Sequence, residues 1–249
     1  MEILSEFAKR KNIGYSLLSD QGSEAIKKFG ILNDSLPTDS PVYGIPYPGS
    51  YLLDAQGRVK SKYFEPDFKE RFSAGTVLVR EFGAAGEHEG VIENRHLKLT
   101  YSTSAPVLRP GQRVTLILDV ELKPKMHVYA PGVQDTYIPV SWKETASNGW
   151  TFESVTWPQS RILHLPAINE KVPVYENKFR IVRDVLMGQE KELKAAIGDS
   201  TSAAIESVFR YQACDDRVCY PPENLTLKWT VPVQMHDRTR SPAEIRHKF

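Results

Sequence analysis

The stretch YQACDDRVCYPPE, residues 211–223, holds both cysteines of the chain, Cys214 and Cys219. Four residues lie between them, two of which are aspartates, and Pro221 and Pro222 follow almost at once. Two thiols this close could close a structural disulfide, clip a metal ion or exchange electrons with a partner thiol. Zinc needs four ligands, and the 6 histidines show no C-x-x-C or H-x-x-x-H companion spacing, which argues against a metal site. If FRYQAC and VCYPP run antiparallel, with Asp215 to Val218 as the connection, the cysteines face each other across a hairpin. Strand neighbours sit about 4.5–5.5 Å apart, within disulfide reach. So small a loop stabilises by only about 2 kcal/mol, which a domain with a full core does not require. The two prolines remove backbone donors, so this segment cannot be a fully paired central strand. The pair should sit near an edge or a domain end, where a partner could reach it. On these residues alone, a staple and a redox pair both stay open.

The rest of the chain must position that pair. Its 249 residues suggest one large domain or two ordinary ones, and 41% hydrophobic content is enough for a core. A formal net charge of +1 gives no electrostatic case for nucleic acid as a partner. No run of about eighteen apolar residues suggests a membrane span. The start, MEILSEFAKRKNIGYSLL, carries charges throughout and is not a secretory signal as it stands. Two cysteines in so long a chain are too few for a disulfide scaffold.

Residues 1–82 mix helix and strand signals. SEFAKRKN and SEAIKKFGIL read as short amphipathic helices, the second capped by Ser23 with Ala25, Ile26 and Phe29 on one face. SYLLDAQGRVKSKYF reads as a hairpin turning at Asp54-Ala55-Gln56-Gly57. FKERFSAGTVLVREFG reads as a closing helix, with a strand at Thr76–Val79 as the alternative. GAAGEHEGVIEN, 83–94, is rich in Gly and acidic residues and reads as a linker. Residues 95–235 then read as strand after strand. RVTLILDVEL puts Val114, Leu116, Leu118, Val120 and Leu122 on one face, and NLTLKWTVPV does the same with Leu225, Leu227, Trp229, Val231 and Val233. ENKFRIVRDVLM and ESVFRYQAC also suit strands. Arg109-Pro110-Gly111, Ala130-Pro131-Gly132 and Asn148-Gly149 supply turns. About eight strands in about 140 residues, with no long helix, is the profile of an antiparallel β-sandwich. A charged tail, 236–249, is expected to be mobile.

YQACDDRVCYPPE resembles the signature of the N-terminal domain of the thiol:disulfide interchange protein DsbD: Tyr-Gln-x-Cys, a short stretch, then Cys-Tyr-Pro-Pro. MHVYAPG and WPQSRILHLP…VPVYENKFRIV also look like that family, whose body is an immunoglobulin-like sandwich. One departure is the spacing, four intervening residues here against five in a known member. The resemblance implies a thiol–disulfide oxidoreductase: a periplasmic electron-transfer module that exchanges disulfides with thioredoxin-fold partners and needs no small-molecule cofactor. Cys214 is followed by Asp215 and Asp216, which disfavour its thiolate, whereas Cys219 lies two residues past Arg217. Cys219 is therefore the expected attacker and Cys214 the resolver. Tyr211, Gln212, Tyr220 and Pro221 would frame the docking surface. The family shields its pair with a cap loop, for which Tyr129 and Tyr137 are candidates against the plainer reading of core or rim tyrosines.

IGYSLLSDQGSEAIKKFGILN and YGIPYPGSYLLDAQGRVKSKYF resemble the second half of a peroxiredoxin or redoxin domain of thioredoxin fold. Pro48 matches the position where that fold holds a cis-proline beside its active cysteine. The family's first strand, cysteine motif and following helix would precede residue 1, and residues 1–82 hold no cysteine. The expectation is an incomplete thioredoxin-like α/β domain, unable to do thiol peroxidase chemistry and truncated from a longer protein, followed by an immunoglobulin-like β-sandwich.

Overall fold

The computed structural model describes residues 2–40, 43–65, 67, 69–133, 137–145, 149–165 and 169–236; the expected charged tail lies almost wholly outside them, as does Asn148 of the expected Asn-Gly turn. The chain divides into two compact units, Met1–Phe68 and Lys69–Phe249.

The first unit holds α1 (Glu2–Arg10), α2 (Glu24–Lys28) and a two-stranded sheet of β1 (Gly49–Leu53) and β2 (Val59–Phe64). Asn12, at φ 51, supplies the left-handed residue after α1. Ser23 does not cap α2. Its own φ is 56 and its hydroxyl donates to the Gly44 carbonyl at 2.7 Å. Asp20 caps instead, its carboxylate accepting from the Ala25 and Ile26 amides at 3.0 and 2.9 Å. Those backbone bonds hold the Asp20 carboxyl below its ordinary value. The hairpin forms as expected: Asp54 Oδ1 accepts from the Gln56 and Arg58 amides, both at 2.9 Å, and Gly57 takes φ 76. No described peptide bond is cis, so Pro48 is trans. Trans is the favoured isomer of an X–Pro bond, and β1 opens directly after it.

The second unit is mostly β-sheet. Its elements are β3 (Arg71–Phe72), α3 (Ala74–Phe82), β4 (Glu87–Glu93), β5 (Leu97–Thr103), β6 (Gln112–Leu122), β7 (His127–Tyr129), β8 (Ser141–Glu144), β9 (Trp150–Thr156), β10 (Arg161–Leu165), β11 (Glu170–Glu176), β12 (Lys178–Met187), α4 (Glu190–Ile197), β13 (Ser202–Tyr211), β14 (Ala213–Cys214) and β15 (Glu223–Pro232). A 6-stranded sheet runs β4-β5-β6-β12-β9 with β3 added beside β6, and a 3-stranded sheet runs β15-β13-β8. Their facing sides share one core, with Leu99, Leu116, Leu118 and Ile181 from the first and Ile205, Phe209, Leu227 and Trp229 from the second. Two sheets closed over one apolar layer make a β-sandwich. A smaller 4-stranded sheet, β10-β11-β7-β14, carries the cysteines.

Two expectations are corrected here. The helix α3 is real, capped by the Ser73 hydroxyl accepting from the Thr76 amide at 3.0 Å, but it belongs to the second unit and packs on β6. Gly75 permits that approach: a Cβ there would meet the Ser104 carbonyl oxygen at 1.7 Å. The supposed linker contains β4, paired along β5. Gly86 and Gly90 serve close packing rather than flexibility, since a Cβ on them would meet Ser102 Oγ at 2.2 Å and the Tyr101 ring at 2.0 Å. The helix α4, not expected from the sequence, opens with a capping box between Gln189 and Glu192.

Candidate functional site

The 3-stranded sheet delivers the cysteines. β13 pairs with β15 along its whole length, ending at Tyr211↔Glu223. Between those two residues the chain leaves the sandwich, adds the two-residue β14 to β7 and returns. VCYPP is therefore not a strand beside FRYQAC as expected; a single bridge, Cys214↔Cys219, joins the two arms. The Asp215 amide donates to Val218 O at 3.0 Å and the Tyr220 amide to Ala213 O at 2.8 Å. That pattern makes the cysteines a non-hydrogen-bonded antiparallel pair, the arrangement with the closest Cα approach, here 4.0 Å, and a disulfide joins them.

The turn is built by Asp215. Its Oδ1 accepts from the Arg217 and Val218 amides at 2.7 and 2.9 Å, and its Oδ2 from the Tyr220 hydroxyl at 2.8 Å. The backbone bonds, Val218's first, hold the Asp215 carboxyl below its ordinary value. The Gln212 amide side chain donates to Tyr220 O at 3.0 Å, bracing the two arms from the other side.

The two sulfurs sit in different surroundings. Cys214 is 1% exposed, within a small apolar cluster of Tyr129, Val172 and Val174, with Val133, Tyr137 and Leu163 against it. Cys219 is exposed, as are Asp216, Arg217, Val218, Pro221 and Pro222 around it. The Tyr129 hydroxyl lies 3.5 Å from Cys219 Sγ and 3.7 Å from Cys214 Sγ, placed to donate to either. Burial raises its phenol above the ordinary value, so it keeps its proton and remains a hydrogen-bond donor through neutral pH. Tyr137 packs on it, ring centroids 4.6 Å apart, and donates to Glu170 Oε2, a bond that pushes the Tyr137 phenol up to about 12. Of the two cap candidates, Tyr129 reaches both sulfurs from the buried floor and Tyr137 packs on Tyr129.

Tyr211 is corrected: it is fully buried and cannot line a docking surface. Its hydroxyl donates to Glu223 Oε2 at 3.0 Å and accepts from Asn94 Nδ2 at 2.8 Å, tying the root of the excursion to the β4–β5 turn. Burial raises its phenol. His96, 1% exposed, completes this network with Nδ1 3.1 Å from Glu223 Oε1 and its ring 4.7 Å from that of Tyr220. Burial holds its imidazole below the ordinary value. Nothing in the sequence tied Asn94 and His96 to residues more than a hundred positions away. His127, within MHVYAPG, pairs with Cys214 across β7 and β14, a link that no local pattern signals.

A β-sandwich with a disulfide displayed on an edge hairpin, one sulfur buried and the other exposed, defines the class. The family model for the N-terminal domain of thiol:disulfide interchange protein DsbD matches residues 98–230, more than half of the 249. The chain belongs to that family, and its Cys214–Cys219 disulfide is the kind of group that thiol–disulfide exchange uses. Residues 2–62 match the AhpC/TSA family model. No curated protein sequence matches the chain. Among solved structures, the N-terminal periplasmic domain of ScsB from Proteus mirabilis is 15% identical, with a TM-score of 0.39 over 56% of this chain and 49% of that one. The chain thus spans about half the length of that structure. The reduced DsbD N-terminal domain of Neisseria meningitidis is 14% identical, with a TM-score of 0.29 over 47% of this chain and 77% of that one.

Proposed function

We propose that this chain carries electrons between thioredoxin-fold proteins in an extracytoplasmic compartment, through the Cys214–Cys219 pair and without a small-molecule cofactor. The observation that carries the reading is the asymmetry of the sulfurs: Cys219 exposed, Cys214 at 1%. A partner thiolate attacks Cys219 Sγ in line with the disulfide. The S–S bond breaks, its electron pair goes to Cys214 Sγ, and a mixed disulfide forms at Cys219. The partner's second thiolate then attacks its own sulfur in that bond and releases Cys219 reduced. In the reverse sense Cys219 attacks an oxidised partner and Cys214 resolves the adduct. Tyr129 donates a hydrogen bond to whichever sulfur carries charge. Gln212, Tyr220 and Pro221 frame the contact, joined by exposed Val218.

The test is capture by a thioredoxin-fold protein lacking its resolving cysteine. Cys214→Ser should trap a mixed disulfide on non-reducing gels, and Cys219→Ser should trap none. An adduct on Cys219→Ser alone reverses the assignment. Adducts on neither, together with a reduction potential below about −300 mV, make the disulfide a permanent staple of a protein-binding sandwich.

A further inference from the structure

The register of the small sheet lines up four chemically active side chains. Glu176 pairs with His127, His127 with Cys214, and Cys214 with Cys219, so all four stand in one row across the sheet. Residues directly paired across strands project to the same face. Tyr129, two residues on from His127, shares that face and reaches the sulfurs with its hydroxyl. His127 is 6% exposed, and its Nε2 is buried with no hydrogen-bond partner among the described residues. A buried polar nitrogen without a partner costs free energy and calls for an explanation. The disulfide supplies one, because it withholds the proton that Cys214 will carry once reduced.

We propose that His127 is the proton carrier of Cys214, giving a proton to its sulfur when the disulfide opens and taking it back when the disulfide closes. This rests on the reading of the pair as an exchanging disulfide. Cys214 is the leaving sulfur when Cys219 is attacked, and its position inside an apolar cluster makes a bare thiolate there unfavourable. In the opening step a donor thiolate forms a bond to Cys219 Sγ and the Cys214–Cys219 bond breaks. The electron pair passes to Cys214 Sγ, and the imidazolium proton follows it. The donor's second thiol, having lost its proton to water, closes the donor disulfide and leaves Cys219 as thiolate. The donor is oxidised by two electrons and the pair reduced by two. Tyr129 cannot take this role, since its raised phenol keeps its proton and serves as a fixed hydrogen-bond donor. The groups facing His127 are Glu176 from β11, which is also engaged by Arg161 Nη1 at 2.6 Å, and Asp215 and Asp216 from the hairpin; all three carboxylates favour the imidazolium, against the burial that disfavours it.

The test is reduction of the oxidised chain by dithiothreitol across pH 7–8, a probe that needs no protein partner. In the wild type the imidazolium fraction falls as the dithiothreitol thiolate rises, so the rate should stay nearly flat. In His127→Gln the rate should rise about tenfold per pH unit with the thiolate alone, and should lag the wild type about tenfold at pH 7. Equal slopes in the two proteins overturn the inference. A second measurement covers a variant that folds poorly: in the wild type, the NMR titration midpoint of His127 should move on reduction of the pair, and an unmoved midpoint overturns it too. Failure of the reading beneath it looks different. There the dithiothreitol slopes differ as stated, yet no reduced thioredoxin-fold protein opens the disulfide.

Discussion

The sandwich core and the cluster under the disulfide are built on different terms. The core buries Trp229, Phe209, Tyr211 and a row of aliphatics, and the 4-stranded sheet adds Val128, Tyr175 and Ala213 to it, with the Trp229 indole nitrogen donating to Ser102 O at 3.0 Å and that of Trp142 to Ser207 Oγ at 2.8 Å. The cluster around Cys214 has a handful of side chains and a strand two residues long. A large core fixes where the hairpin emerges. A thin one lets the bond at its tip open and close at small structural cost. On the proposed exchange, stability would rest on the large core and reactivity on the small cluster over the other face of the 4-stranded sheet.

The largest effect should come from cutting into the core. Phe209→Ala removes a fully buried ring and should cost about 3–5 kcal/mol in urea or guanidinium unfolding. Val174→Ala, equally buried but in the small cluster, should cost about 2 kcal/mol. The reduction potential should show the opposite order, unchanged by Phe209→Ala and shifted by Val174→Ala. If both substitutions move both quantities alike, the two clusters are one cooperative body and the separation fails.

How much of this was legible in the sequence follows the same division. Period-two alternation in β6 and β15 gave the core faces correctly, because sandwich strands obey that period on the buried side. Val114, Leu116, Leu118 and Val120 are all at 2% exposure or less. Cysteine spacing and the prolines gave an edge disulfide. What stayed hidden was set by tertiary pairing. Gly90 and its acidic neighbours look like a linker until Tyr101 is seen against them. Tyr211 looks like docking surface until Asn94 and Glu223 are seen around its hydroxyl. No local pattern separates an exposed cysteine from a buried one across a four-residue turn.

A smaller effect should follow removal of one hydroxyl at the disulfide. Tyr129→Phe keeps the ring in the cluster, so stability should change by no more than about 1.5 kcal/mol. The hydrogen bond it loses is stronger to a thiolate than to a disulfide sulfur, so the reduced form loses more than the oxidised one. The potential should fall by about 30 mV, equivalent to about 1.4 kcal/mol, and reduction should slow about tenfold. An unchanged potential would mean that the contacts at 3.5 and 3.7 Å are packing alone.

The smallest effect is on stability against pH, and it touches both regions, since His96 lies by the sandwich and His127 under the disulfide. Burial lowers both imidazoles below their ordinary value of 6.5. Below that pH the unfolded chain binds protons that the folded chain refuses. The stability each histidine contributes is therefore complete above about pH 6.5 and is lost as pH falls through its folded value. The loss can run no steeper than about 1.4 kcal/mol per pH unit for each histidine. The glutamates beside the two rings soften it, because Glu223 and Glu176 favour the charged forms. Asp215 acts in the same direction in a more acid window, its lowered carboxyl supporting the turn above about pH 4 and releasing it below. Urea midpoints measured from pH 8 to pH 5 should fall in the wild type, fall less in His96→Asn and in His127→Gln, and hardly move in the double variant. A wild-type curve that is flat across that range would show that neither ring is held neutral by the fold.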